Sequence, residues 1–226
     1  WSLINFKRLF TETNFLHWYK NTLIIALFNA VLQTVIVLSV AYALSRMRFK
    51  GRKLLMNVML VLGMFPGFLS MIATYFILKL FGLTSENAVP GLILVYAASS
   101  GMGYYIAKGF FDTIPKSLDE AARIDGASRS RVFFRIIMPV MKPAYASMAV
   151  LTGMGAWNAL LWPMLVLSDM KKYTIPIGLN TLWSPYGNNY DLMITGSCFA
   201  ILPLLLIYLF AQRFIVEGMT AGAVKG

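Results

Sequence analysis

The 226-residue sequence contains one cysteine, one histidine and nine acidic residues. Cys198 is alone, so no disulfide can form within the chain. His17 is also alone, which excludes a zinc site built on several histidines and any Ser–His or Cys–His dyad that does not use this residue. The phosphate-binding pattern G-x-x-x-x-G-K-[ST] is missing as well. The sequence therefore predicts a protein with no catalytic site, no metal site and no bound cofactor.

Charged residues are scarce too, at 13% of the chain against 58% hydrophobic residues. A helix needs about 20 mostly apolar residues to cross the hydrocarbon core of a bilayer. Five stretches have this length: 21–44, 54–80, 89–107, 144–167 and 192–211. Lys79, near the end of one stretch, is the only charged side chain within them, so an ion-coupled pump would lack its usual buried charges. The sequence predicts an all-α, polytopic membrane protein. If it moves a solute uphill, the energy must come from another subunit.

The net charge of +11 is distributed unevenly over the loops between these stretches. The first loop holds five basic residues and segment 108–142 holds seven, whereas the second and fourth loops hold only Lys171 and Lys172. Cytoplasmic loops carry such an excess of Lys and Arg. The pattern predicts that the first loop, segment 108–142 and the tail 212–226 are cytoplasmic, and that loop 168–191 lies outside. It disfavours the nucleic acid partner that a basic chain first suggests.

Other parts of the chain give local expectations. Residues 1–20 mix aromatic and basic side chains, which predicts an amphipathic helix at the outer interface. Because this outer start has no signal peptide, we expect one further span upstream of Trp1. Pro66, within 63–67, predicts a kink in the second span.

Segment 108–142 is the one long polar interruption of the chain. Ser117, with Glu120 three residues later, forms a capping-box pattern, and Gly126 is suited to end that helix in the left-handed region. A second helix is expected to follow until Pro139 stops it. The sequence thus predicts a compact basic hairpin. From the residues alone, it could rest on lipid headgroups or fill a groove on a cytoplasmic protein.

The spacing in this hairpin resembles the EAA loop of binding-protein-dependent ABC transporter permeases, with Met138 in place of the usual leucine before the proline. The residues that carry the resemblance or lie between its fixed positions are Glu120, Ala121, Ala122, Arg123, Asp125, Gly126, Ile136 and Pro139. Segments 157–163, 173–179 and 212–226 resemble the carbohydrate-uptake branch, and the end of the chain resembles the smaller permease subunit of maltose-type transporters. Ala159 departs from that branch, which often has an acidic residue there.

The resemblance implies a type I importer helical bundle in a bacterial plasma membrane. It implies a second, different permease subunit, two ATPase subunits that use ATP and Mg, and an extracellular or periplasmic solute-binding protein. The EAA residues would sit in a cleft of the ATPase. The tail would dock there too, through Thr220, Gly222 and Lys225. The outer loop would contact the binding protein through Trp183, Tyr186 and Tyr190, although these aromatic residues could equally belong to the membrane-interface belt.

Trp157, Asn158 and Gln33 are the candidates for lining a sugar path, with packing between spans as the alternative for each. Malto-oligosaccharides are the first expectation for the substrate, while other oligosaccharides, acidic ones included, and glycerol phosphate stay open. Amino acid, phosphate or polyamine uptake is disfavoured by the carbohydrate-branch segments. A receptor or scaffold that uses the hairpin only to bind a signalling protein is the alternative from another class, and an intramembrane enzyme is a third.

Overall fold

The computed structural model describes residues 3–64, 67–98, 101–183 and 189–221, with side chains in the last range up to Gln212. All regular secondary structure in these residues is helical, which confirms the predicted all-α class. The α-helices are α1 (Ile4–Glu12), α2 (Phe15–Arg46), α3 (Arg52–Met64), α4 (Gly67–Leu80), α5 (Ala88–Ala98), α6 (Gly101–Thr113), α7 (Lys116–Ile124), α8 (Arg129–Val132), α9 (Met138–Val140), α10 (Lys142–Trp157), α11 (Leu161–Val166), α12 (Ile175–Thr181) and α13 (Tyr190–Ala221).

The apolar helices of the described residues give two straight membrane spans and three bent ones. The helix Phe15–Arg46 and the stretch Tyr190–Gln212 are each long and apolar enough to cross a bilayer. The bent pairs are α3 with α4, 85–98 with 102–113, and 129–140 with α10, with bends of 103°, 46° and 80°. Counting each pair as one span gives up to five spans. Pro66, at the expected kink between α3 and α4, lies outside the described residues.

Two expectations about helix boundaries are wrong. Stretch 144–167 is not one helix, because α10 ends at Trp157 and α11 begins only at Leu161. Residues 1–20 do not form one interfacial helix either. Thr13 has an extended backbone (φ −126°, ψ 167°) that separates α1 from α2. Residues 15–20 therefore begin the 32-residue helix α2, which is about 48 Å long at 1.5 Å per residue.

Helix α2 contributes to both hydrophobic cores of the bundle. Phe15, Trp18 and Ile25 belong to one core, together with residues of α5, α10, α11 and α12. Val37, Ala41 and Tyr42 belong to the other, together with residues of α6 and of the segment 114–144. The two ends of α2 therefore pack against different loops.

The start of α2 holds the loop before α12. The indole Nε1 of Trp18 donates to the carbonyl of Met170 (2.8 Å), and the amide of Asn21 donates to the carbonyl of Lys171 (2.8 Å). The backbone N–H of Ile175 donates to Thr22 Oγ1 (2.8 Å). These bonds place loop 168–175 at the opposite end of α2 from Arg46.

Candidate functional site

The first half of the hairpin is the helix α7. Its start differs from the capping box expected at Ser117. Pro115 (φ −57°, ψ 132°) occupies the N-cap position, and the helix begins at Lys116 without a side-chain cap. Ser117 lies within the first turn, because the helix starts directly after the proline, whose ring fixes φ and suits the approach to a helix.

The end of α7 is formed as expected at Gly126, which has φ +79°. The backbone N–H of Asp125 donates to the carbonyl of Ala121 (3.0 Å), and that of Ala127 donates to the carbonyl of Ala122 (2.9 Å). These bonds satisfy carbonyls that the helix end would otherwise leave free. A Cβ built on Gly126 has no neighbour within 4 Å, so glycine is required there by the backbone conformation and not by space.

The second half of the hairpin is longer than expected. Ser128 caps α8, its Oγ accepting from the N–H of Arg131 (3.3 Å). A π-helical turn, Phe133–Ile137, follows, and α9 continues to Val140. Pro139 therefore does not stop the helix. It lies within α9, and the helix ends one residue later, at Val140, before the chain turns at Met141.

The hairpin is fixed to the bundle through Arg46, the last residue of α2. Its Nη2 donates to the carbonyls of Phe111 (2.9 Å) and Ile114 (2.6 Å) at the end of α6. Its Nε lies 3.2 Å from Oδ2 of Asp119 in α7, and the side chains of Arg46 and Asp119 are 5% and 15% exposed. One guanidinium thus joins three helices. The charge pattern of the sequence places Arg46 in the basic first loop, and no motif in the sequence distinguishes Asp119.

A second contact lies beside the first. The hydroxyl of Ser45 donates to Asp112 Oδ1 (2.6 Å), and Lys108 forms an ion pair with the same carboxylate. The Asp112 carboxylate thus accepts from two side chains, one on α2 and one on its own helix α6. The ring of Tyr42 packs 4.7 Å from that of Phe133 in the π-helical turn. The end of α2 therefore holds α6, α7 and the π-helical turn together.

The predicted hairpin residues divide between two faces. Ala122 is buried in the core beside α2, and Ile136 is half-buried against it. Six predicted residues are exposed and form the outer face of the hairpin: Glu120, Ala121, Arg123, Asp125, Gly126 and Pro139. This outer face also carries apolar side chains, since Leu118, Ile124 and Phe134 are 43%, 86% and 67% exposed. The hairpin therefore offers a mixed apolar and charged surface on a rigid support.

A basic groove of about 330 Å³ lies between α7 and the loop that joins α2 to α3. Cations outnumber the acidic side chains that line it, and include Arg48, Arg52, Lys116, Arg123 and Arg129. A polar surface of this charge favours acidic groups on whatever packs against it.

The residues predicted to line a sugar path are not brought together. Trp157 is 3% exposed, and its ring packs edge-on against Tyr19 with centroids 5.6 Å apart. Asn158 is exposed, and its amide donates to the carbonyl of Met154 (3.0 Å) at the end of α10. Gln33 is half-buried on α2, 14 residues or about 21 Å from Tyr19. A sugar contact by any of the three stays a prediction.

The remaining predicted residues belong to loop 168–191 and the tail 212–226. Trp183 and Tyr190 are exposed, 56% and 44%, on either side of Tyr186, which lies outside the described residues. The backbone of Thr220 belongs to α13, but its side chain is not described, and Gly222 and Lys225 lie outside the described residues.

Residues 35–219 match the family described as "Binding-protein-dependent transport system inner membrane component". The chain is 38% identical to the arabinooligosaccharides transport system permease protein AraQ of Bacillus subtilis (strain 168), over 92% of this chain and 73% of that protein. It is also 38% identical to the maltodextrin transport system permease protein MdxG of the same organism, over 100% of this chain and 81% of the relative. A subunit of a bacterial ABC transporter involved in the import of the acidic polysaccharide alginate has the same fold, with a TM-score of 0.82 and 23% identity over 92% of this chain and 78% of that one.

Proposed function

The chain belongs to the family of binding-protein-dependent transport system inner membrane components, and we propose that it carries an oligosaccharide across the bacterial plasma membrane as one of two permease subunits of an ABC importer. The observation that supports this most is the position of the hairpin. Residues 116–140 are fixed by Arg46 to one end of α2, and loop 168–175 is fixed by Trp18 and Asn21 to the other end.

The hairpin is the proposed contact with an ATPase subunit. Its exposed residues Glu120, Ala121 and Arg123, with Ile124 beside them, offer the apolar and charged surface that a groove on a partner can accept. Ala122 and Ile136 face inward and support this surface from behind. One copy of the ATPase would contact this chain and a second copy would contact its permease partner. The ATPase copies would bind the ATP and Mg. The excess of basic residues on this side of the bundle supports a cytoplasmic position for the hairpin and the tail.

The opposite end of the bundle is the proposed contact with the solute-binding protein. Trp183 and Tyr190 are exposed there, and rings with one polar edge suit both protein and sugar contacts. Loop 168–175 is tied to α2 by backbone-directed hydrogen bonds, so a protein that presses on this loop also presses on α2.

The substrate class rests on the relatives. Two proteins that are 38% identical to this chain are named for arabinooligosaccharide and maltodextrin transport. We therefore place neutral oligosaccharides first. Acidic oligosaccharides and glycerol phosphate come second in this ranking of substrates. The importer of the acidic polysaccharide alginate shares the fold, but it is only 23% identical to this chain.

Reconstitution tests the proposal. The chain is co-expressed with the second permease and the ATPase from the same genome, and the complex is placed in proteoliposomes with the binding protein. We expect ATP hydrolysis to rise when the binding protein is loaded with malto- or arabino-oligosaccharides, together with uptake of the labelled sugar. The receptor or scaffold would be favoured instead if the chain does not co-purify with an ATPase, or if no loaded binding protein raises the rate of ATP hydrolysis by the complex.

A separate measurement tests the orientation. In a Cys198→Ala background, cysteines at Arg123 and at Trp183 are labelled on intact cells with a membrane-impermeant maleimide. Labelling at 183 and not at 123 is expected. The reverse pattern would contradict a cytoplasmic hairpin.

A further inference from the structure

Arg46 is unusual among the basic residues of its loop because it is buried. Its side chain is 5% exposed, whereas Arg48, Lys50 and Lys53 in the same loop are exposed. A buried guanidinium is stable only when acceptors surround it. Arg46 meets this requirement in part: Nη2 donates to two carbonyls at the end of α6, and Nε lies 3.2 Å from the carboxylate of Asp119, while Nε and Nη1 make no hydrogen bond within the described residues.

The geometry of these contacts depends on arginine. The planar guanidinium directs several donors at once, and here it joins the end of α6, the first turn of α7 and its own helix. A lysine at this position carries one compact charge and lacks the fixed directions of the fork, so it can replace the ion pair with Asp119 better than it can replace the two carbonyl contacts.

The position of Asp119 adds a second constraint. It directly precedes Glu120 in α7, and it points toward α2 while Glu120 is exposed. Its Oδ1 is buried and has no hydrogen-bond partner within the described residues. Removing Arg46 therefore leaves this carboxylate buried without a counter-charge, which is costly.

Helix α2 extends from this contact to the loop at the opposite end of the bundle. Trp18, Asn21 and Thr22 bond to loop 170–175, while Ser45 and Arg46 bond to α6 and contact α7. Because an α-helix shifts as a nearly rigid body, a displacement of α7 that moves Arg46 also moves Trp18.

We propose that Arg46 is a positioning residue that fastens α7 to α2, so that movement of the hairpin reaches loop 170–175 through α2. The proposal rests on the function proposed above, because the movement of the hairpin is the one that an ATPase would impose. Arg46 acts through Asp119 and the end of α6.

The test compares Arg46→Gln, Arg46→Lys and Asp119→Asn in the reconstituted complex. Lys53→Gln is the matched control, since it removes one positive charge from the same loop at an exposed position. Sugar uptake and ATP hydrolysis are measured in the same vesicles. We expect Arg46→Gln to lower the number of sugars moved per ATP about tenfold, within the range typical for coupling between sites. Hydrolysis should continue but lose its dependence on loaded binding protein.

The other variants sharpen the result. Arg46→Lys should move a number of sugars per ATP between those of the wild type and Arg46→Gln. Asp119→Asn should lower this number as Arg46→Gln does. The double variant Arg46→Gln/Asp119→Asn should be no worse than the worse single change, because the two residues form one contact. Lys53→Gln should match the wild type. The positioning role is wrong if Arg46→Gln lowers uptake and hydrolysis only in proportion to the amount of assembled complex. It is also wrong if Arg46→Gln moves as many sugars per ATP as Lys53→Gln does.

The two proposals fail in different ways. A wild-type complex without sugar-dependent hydrolysis contradicts the proposed function. A wild-type complex that transports sugar, with an Arg46→Gln variant that couples normally, contradicts only the role of Arg46.

Discussion

Gly126 ends α7 in the left-handed region, with φ +79°, and a Cβ there would meet no atom within 4 Å. A substitution at this residue therefore acts on the backbone conformation of the isolated chain and creates no clash within it. An alanine in the left-handed region costs about 1–2 kcal/mol. Asparagine tolerates this region and costs less, whereas a β-branched valine costs more. The expected order of hairpin stability is glycine, asparagine, alanine, valine.

The size of the effect follows from that order. About 1.4 kcal/mol changes an equilibrium tenfold, so alanine should open the turn roughly tenfold more often, and valine should populate the open turn more still. The backbone N–H of Ala127 reports this opening, because it donates to the carbonyl of Ala122 (2.9 Å) across the turn. Hydrogen exchange at Ala127 should accelerate in the expected order. Sugar moved per ATP should fall in the same order.

The asparagine variant decides the interpretation of this series. Gly126 is exposed, so an ATPase surface could also reject any side chain at this position by contact. In that case asparagine, which is larger than alanine, would couple worse than alanine even though it suits the backbone better. An order of coupling that follows side-chain size, with unchanged exchange at Ala127, would refute the conformational argument. Valine with normal coupling and normal exchange would refute it as well.

Two further predictions use matched or simple changes. Ala122→Leu should destabilise the protein by about 1–3 kcal/mol in thermal unfolding, because it overfills a buried site. Ala121→Leu, on the exposed face, should unfold at the wild-type temperature but capture less ATPase in a pull-down. Gly178→Ala should lower thermal stability by about 1–3 kcal/mol, because its Cβ would lie 2.1 Å from ring atoms of Trp18; an unchanged melting temperature would contradict this packing.

Features that depend on neighbouring residues could be predicted from the sequence. The left-handed end of α7 needs a glycine directly after the helix, and Gly126 is the glycine that follows it. The same holds for the apolar stretches within α2 and α13, because the hydrocarbon thickness sets the minimum length of a span. Helix boundaries were harder. Pro115 displaced the cap expected at Ser117, and the π-helical turn at 133–137 carried the helix past Pro139.

The support of the hairpin could not be predicted in this way. Arg46 and Asp119 are 73 positions apart, and their contact depends on how α2, α6 and α7 pack. Arg46 matched the charge rule for cytoplasmic loops just as its exposed neighbours do. What distinguishes it is burial, and burial follows from the tertiary fold. Asp119 was passed over for a similar reason, since the acidic residue that draws attention in the pattern is the exposed Glu120 next to it.

The structure also bears on the hairpin as a lipid-surface element, which the sequence alone left open. An interfacial helix turns its apolar side to the acyl chains and its basic side to the headgroups. In α7, the buried Ala122 packs in the core beside α2, and Asp119 pairs with Arg46. The apolar residue Ile124, 86% exposed, lies next to Arg123 and Asp125, which are exposed and carry opposite charges. A helix held by its own chain on one side, with exposed apolar residues between charges of both signs on the other, is suited to a groove on a protein.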